Sequence, residues 1–142
     1  AFGDALFLAP ARSIAELVAL QGGKAWLYHF DYVPTMLRLI RPGAVHGGEI
    51  PFVFGTVSEL PLGRWLTTSG DADMSEKVMT YWVAFAKDGD PNPGSGDYPQ
   101  WPAFDPKDKS TLVFSADGVE ARKDFLEERL QHFIQQARTP GD

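Results

Sequence analysis

The chain has 142 residues, 44% of them hydrophobic, with 4 tryptophans and no cysteine, which is apolar mass for one modest folded domain and excludes a disulfide framework or a thiolate metal site. Its 13 basic and 19 acidic residues leave a formal charge of -6, and no local Lys/Arg cluster offsets it, so nucleic acid is not an expected partner. No apolar run reaches bilayer length, because Pro51 and Gly55 interrupt the best one, so no membrane span is expected.

In chain order, residues 1–10 read as an extended or turn segment ending at Pro10, a residue suited to opening a helix. Ser13 and Glu16 have capping-box spacing, Ile14, Leu17 and Val18 form an apolar stripe, and Gly22-Gly23 supplies a stop. The pattern predicts a helix over Ala11–Leu20 with its stripe in the core. Aromatic-rich Lys24–Tyr32 predicts a strand buried on at least one face, with His29 inside it as a packed or hydrogen-bonded structural residue. Val33–Gly43 is a connection punctuated by Pro34 and Pro42. Its Met36, Leu37, Leu39 and Ile40 suit either a short helical turn or the lining of an acyl pocket.

Thr56–Gly70 is irregular, with room for a helical turn within Ser58–Trp65. Asp71–Lys87 carries Met74, Val78, Tyr81, Trp82 and Phe85 at helical spacing, with Asp71 and Asp73 at the positive end and Lys87 at the negative end. The stripe is expected to be a core face. Asp88–Pro106, dense in Gly, Pro and Asp, reads as a long loop anchored by Trp101 and Phe104. Thr111–Ser115 and Val119–Arg122 pair as a hairpin across Ala116-Asp117-Gly118. A last amphipathic helix, Phe125–Ala137, turns Leu126, Leu130, Phe133 and Ile134 inward and leaves His132 at the rim.

The chemistry concentrates in Gly43–Gly55. His46 stands among glycines, which permit a tight turn and close approach; Glu49 follows, and then apolar Ile50, Phe52, Val53 and Phe54. Histidine suits proton transfer near neutral pH, so the stretch reads as a general base on a loop backed by a dry wall. On the residues alone the favoured reading is plainer: a glycine-rich turn leading into a buried segment, with His46 a hydrogen-bonded structural histidine. Metal binding has little support, since the three histidines are far apart in sequence and none belongs to a His-x-x-x-His pair. No cofactor motif is present. Gly94-Ser95-Gly96 is neither a nucleophile elbow nor a phosphate loop.

The run His46-Gly47-Gly48-Glu49-Ile50-Pro51-Phe52-Val53-Phe54-Gly55 closely resembles the segment around the catalytic histidine of type-B carboxylesterases, the cholinesterase-like serine hydrolases. Gly3-Asp4 with Phe7 and Pro10, Trp26–Phe30, Tyr81-Trp82 through Phe85-Ala86, Gly89-Asp90-Pro91-Asn92 and Trp101-Pro102-Ala103-Phe104 match in the same order. The resemblance covers nearly the whole chain. It implies an α/β-hydrolase fold of which residues 1–142 are the C-terminal part, in the order helix, sheet strand, catalytic-histidine loop, long helix, small hairpin and C-terminal helix. Trp26–Phe30 would be the last long strand of the central sheet and an interior strand of the parent.

In such enzymes the triad follows in the order serine, acid, histidine. This sequence contains no Gly-x-Ser-x-Gly, so by resemblance both the nucleophile and the acid lie upstream. The implied function is hydrolysis of small-molecule carboxylic esters through a serine acyl-enzyme, with His46 as the general base and the chain alone inactive. Glu49 is poorly placed three residues along to orient that ring. It is implied to be a supporting residue behind the triad, and equally fits a capping or water-bonded carboxylate. The partner expected is the remainder of the parent chain, or a second copy through the strand edge left unpaired.

The lack of cysteine favours a bacterial-type member, and no leader marks a compartment. Two alternatives remain open on sequence. One is a catalytically inactive cholinesterase-like adhesion or interaction module, told apart by the upstream serine; the other is a free-standing small domain that has lost the activity.

Overall fold

The computed structural model describes residues 7–40, 43–60, 63–128 and 130. Its elements are α1 (Ala9–Leu20), β1 (Tyr28–Phe30), α2 (Ile50–Val53), α3 (Gly63–Leu66), α4 (Ser69–Asp88), β2 (Thr111–Ser115) and β3 (Gly118–Arg122), with single 3-10 turns at Leu37–Leu39 and Val57–Glu59. The strands form one sheet in the order β1-β2-β3. Leu112 N–H donates to Leu27 O, and Asp31 N–H donates to Phe114 O. The partner numbers rise together, so β1 and β2 are parallel, whereas β2 and β3 form the expected hairpin. The chain divides into two compact units. One holds the described residues up to Tyr28, Pro102–Leu112 and those from Ala121 on; the other holds His29–Trp101 and Val113–Glu120.

In the first unit α1 begins at Ala9, one turn ahead of the Ser13–Glu16 box, which therefore lies inside the helix and caps nothing. Pro10 explains the early start, because its fixed φ and missing N–H cost nothing in a first turn. The helix also faces differently from expectation. Ala9, Arg12 and Ala15 are buried, while Ile14 and Leu17 are exposed. Arg12 sets this rotation: it is buried and ion-paired with Glu127, which also pairs with Lys109. Leu8 and Leu126 pack on Ala9 and Leu130. Of the expected last helix only its beginning is described; Phe133, Ile134 and His132 lie outside the described residues.

The second unit is built on α4 and an aromatic core. The helix runs 20 residues and starts at Ser69, two residues before the predicted boundary. Thr68 and Asp71 form a capping box there, and Gly89, at φ 69°, supplies the left-handed stop. Met74, Val78 and Tyr81 are buried as expected, but Phe85, at the far end of the stripe, is 49% exposed.

Phe114 of β2 is the hub of the core. Its ring centroid lies 5.9–6.2 Å from those of Tyr81, Trp82, Trp101 and Phe30, within the range where edge-to-face and tilted pairs attract. Asn92 closes the 90–101 loop by accepting from Trp101 N–H at 2.7 Å and donating to Trp101 O at 2.9 Å. Burial, with Tyr98 nearby, pushes the Tyr81 phenol up to about 12. The strand predicted over Lys24–Tyr32 is regular only at Tyr28–Phe30. Its partner β2 is just five residues long, and in a parallel pair alternate residues carry the bonds.

Candidate active site

His46 lies in the second unit, on the segment that links β1 to α2. Gly48 N–H donates to Val45 O at 2.9 Å, closing a turn in which Gly47 has φ 76°. A positive φ at the third position of a turn is the type II pattern, which glycine fills without strain. At Gly48 a Cβ would stand 2.9 Å from Val45 O, so the two successive glycines after His46 are needed for different reasons. His46 occupies the second position and is exposed. The tight turn anticipated from the sequence is present.

A second turn follows directly, with Ile50 N–H donating to Gly47 O, and Phe52 and Val53 N–H donating to Glu49 O. Glu49 is thus the residue before α2, half-buried, with no capping bond from its carboxylate. The apolar run after it is not the continuous wall expected. Phe52 is buried, whereas Ile50 and Phe54 are 53% and 72% exposed. One turn of helix explains the split, since it presents successive residues to different sides. Phe52 sits 5.2 Å from Phe30 and 5.3 Å from Tyr32, ring to ring. Gly55, at φ 68°, ends this turn where a Cβ would stand 2.6 Å from Met79 Sδ of α4.

The sequence reading singled out His46 and Glu49, and the structure puts them on successive turns of one segment. His29 stands apart from them in sequence position, half-buried in β1. Leu39 of the 3-10 turn and Ile40 just after it are 79% and 76% exposed, so within this unit they are not core. Among the described residues no three His, Asp or Glu side chains gather as a metal site, and no helix is long and apolar enough to cross a membrane.

The polar centre that sequence reading missed is Asp71. Its side chain is fully buried. Oδ1 accepts from the Tyr32 hydroxyl at 2.7 Å and from the Thr35 N–H and hydroxyl at 2.9 and 3.1 Å. Oδ2 accepts from the Thr68 N–H and hydroxyl, both at 2.8 Å. Burial by itself would raise the Asp71 pKa; the bonds from Thr68, Tyr32 and Thr35 outweigh it and hold the carboxyl below its ordinary range. Burial and the bond to Asp71 push the Tyr32 phenol up in turn. The only sequence signal was Thr68 three residues ahead of an acidic residue, a capping-box spacing.

A pH dependence follows. The folded pKa of Asp71 lies below the unfolded value of about 3.9. Its contribution to stability is therefore complete above that value and is lost as pH falls through the folded pKa. Urea unfolding at a series of pH values from 7 down to 2.5 is expected to show a steeper loss below pH 4 in the parent than in Asp71→Asn. Identical slopes would contradict the role of the buried carboxylate.

The pattern of the Carboxylesterase family matches residues 1–133. Acetylcholinesterase of Gallus gallus is 39% identical over 105 residues, which is 73% of this chain and 13% of that protein. Human cocaine esterase is 36% identical over 110 residues, 75% of this chain and 19% of the relative. Among solved structures, a carboxylesterase of Geobacillus stearothermophilus superposes with a TM-score of 0.66 at 28% identity, over 85% of this chain and 24% of that one. A PNB esterase gives 0.61 at 26% identity, over 78% and 21%. The chain thus spans between 13% and 24% of the length of these proteins. It belongs to the carboxylesterase family, and its fold is that of one part of an α/β-hydrolase esterase.

Proposed function

We propose that this chain is the histidine-bearing, C-terminal part of a single α/β-hydrolase domain that cleaves small carboxylic esters through a serine acyl-enzyme. His46 is the general base. Its imidazole takes the proton of a serine supplied by the preceding part of the domain as that oxygen attacks the ester carbonyl. It then delivers the proton to the departing alkoxide. In the second half it takes a proton from water as that oxygen attacks the acyl carbonyl, and returns the proton to the serine oxygen as the acid departs. A carboxylate from the same preceding part orients the ring, and Glu49 supports the turn from behind.

The observation that carries the reading is His46 itself. In a chain of the carboxylesterase family, an exposed imidazole stands at the corner of a turn whose glycines let it approach a neighbouring nucleophile. The exposed face of α1, Ile14, Leu17 and Leu20, supports the placement within a larger domain, because it is apolar surface suited to further packing.

The 142 residues alone are expected to have no esterase activity, since the nucleophile and the oxyanion donors both come from elsewhere. Purified chain assayed on p-nitrophenyl acetate, with burst kinetics and covalent labelling by an organophosphate, decides this. Stoichiometric labelling of a serine in this chain would overturn the division of the triad.

A further inference from the structure

Among the described residues between Pro34 and Pro51, the segment that carries His46, none is buried. The residues at its two ends are buried, Tyr32 and Val33 before it and Phe52 after it. Both ends are fastened to α4. Upstream, Asp71 Oδ1 accepts from Tyr32 and Thr35. Arg38 adds a strap there, donating to Val33 O at 2.7 Å with its guanidinium 4.8 Å above the Tyr32 ring. Downstream, the Ser75 hydroxyl donates to Phe52 O at 3.0 Å. Asp71 and Ser75 are four residues apart, so they stand one above the other on the same face of the helix.

We propose that Asp71 and Ser75 are positioning residues for His46, a two-point clamp on α4 that sets where the histidine turn sits. This rests on the reading of His46 as the base. Capping alone does not account for Asp71. The capping box needs only Oδ2, which accepts from Thr68, whereas Oδ1 is given over to residues 36 and 39 positions upstream. With none of its described side chains buried, the segment draws on its fastened ends for its geometry, and catalytic geometry is sensitive to small displacements: about 1 Å can cost on the order of 100-fold in rate.

The test uses the whole esterase chain and two independent variants. Tyr32→Phe/Thr35→Val removes the hydroxyl donors to Oδ1 and leaves the helix cap intact; Ser75→Ala releases the other end. Each is measured for kcat and KM on a p-nitrophenyl ester and for hydrogen exchange by mass spectrometry. Exchange is expected to quicken in peptides spanning 36–50 and to stay as in the parent along α4 and the β2–β3 hairpin. Turnover is expected to fall about tenfold or more with KM little changed, and Thr35→Ser, which keeps the hydroxyl, to retain parental values.

Unchanged exchange over 36–50 in both variants would overturn the clamp, as would uniform quickening through the chain, which marks a purely structural role. Loosened exchange with parental kcat would overturn it for catalysis. His46→Ala is run alongside. If that variant keeps its turnover, the assignment of the base fails, while the exchange data still decide whether α4 holds the segment.

Discussion

Replacing His46 with alanine in the whole esterase is expected to lower turnover by ~10⁴-fold or more while the protein stays folded. The size of the effect comes from the way triad members act as a unit: without the base the serine keeps its proton, and the leaving alkoxide has no donor. Folding should survive because the side chain is exposed at the corner of a turn, where truncation opens no cavity. Glu49→Gln, changing a half-buried carboxylate without a capping bond, should cost far less. His29→Ala is expected to act on stability more than on rate, since that side chain is half-buried in β1. Steady-state kinetics beside circular dichroism and thermal melts separates these outcomes. A folded His46→Ala enzyme with near-parental kcat would contradict the assignment.

The largest effect on stability is expected at Phe114, where alanine should cost about 3–5 kcal/mol. The ring is fully buried and is shared by Phe30, Tyr81, Trp82 and Trp101. These neighbours come from a strand, the long helix and a loop, so the cavity cannot close by moving any one of them. Against a typical domain stability of about 5–15 kcal/mol, that loss is large enough to unfold a marginal protein. Phe85→Ala makes the same chemical change on a side chain that is 49% exposed and is expected to cost a fraction as much. Urea midpoints for the two variants test the contrast; equal shifts would mean that Phe114 is not the hub.

Much of this architecture was legible from periodicity and punctuation. The long helix, the hairpin and the Trp101–Phe104 anchors each announce themselves locally, through a helical stripe, a turn tripeptide and isolated aromatics in a polar loop. The glycines of 43–55 foretold a tight turn, and the turn is there.

What local pattern could not fix was facing. The α1 stripe of Ile14 and Leu17 has the regular spacing of a core face, but the pairing of buried Arg12 with half-buried Glu127 turns a different row inward. Glu127 stands 115 residues away in sequence, beyond any periodicity argument. The run Ile50–Phe54 looked uniformly buried because hydropathy does not see that a single helical turn splits it. Asp71 was read as a charge complementing a helix end. Its second oxygen is committed to Tyr32 and Thr35, which only the fold brings to it.

The central claim is that His46 activates a serine lying outside these 142 residues, and covalent labelling tests it most directly. The whole esterase and its His46→Ala variant are treated with a fluorophosphonate, digested and mapped by mass spectrometry. One phosphonylated serine is expected in the parent, within a Gly-x-Ser-x-Gly sequence upstream of this chain, with labelling slowed by orders of magnitude in the variant. Labelling of the variant at the parental rate would contradict it.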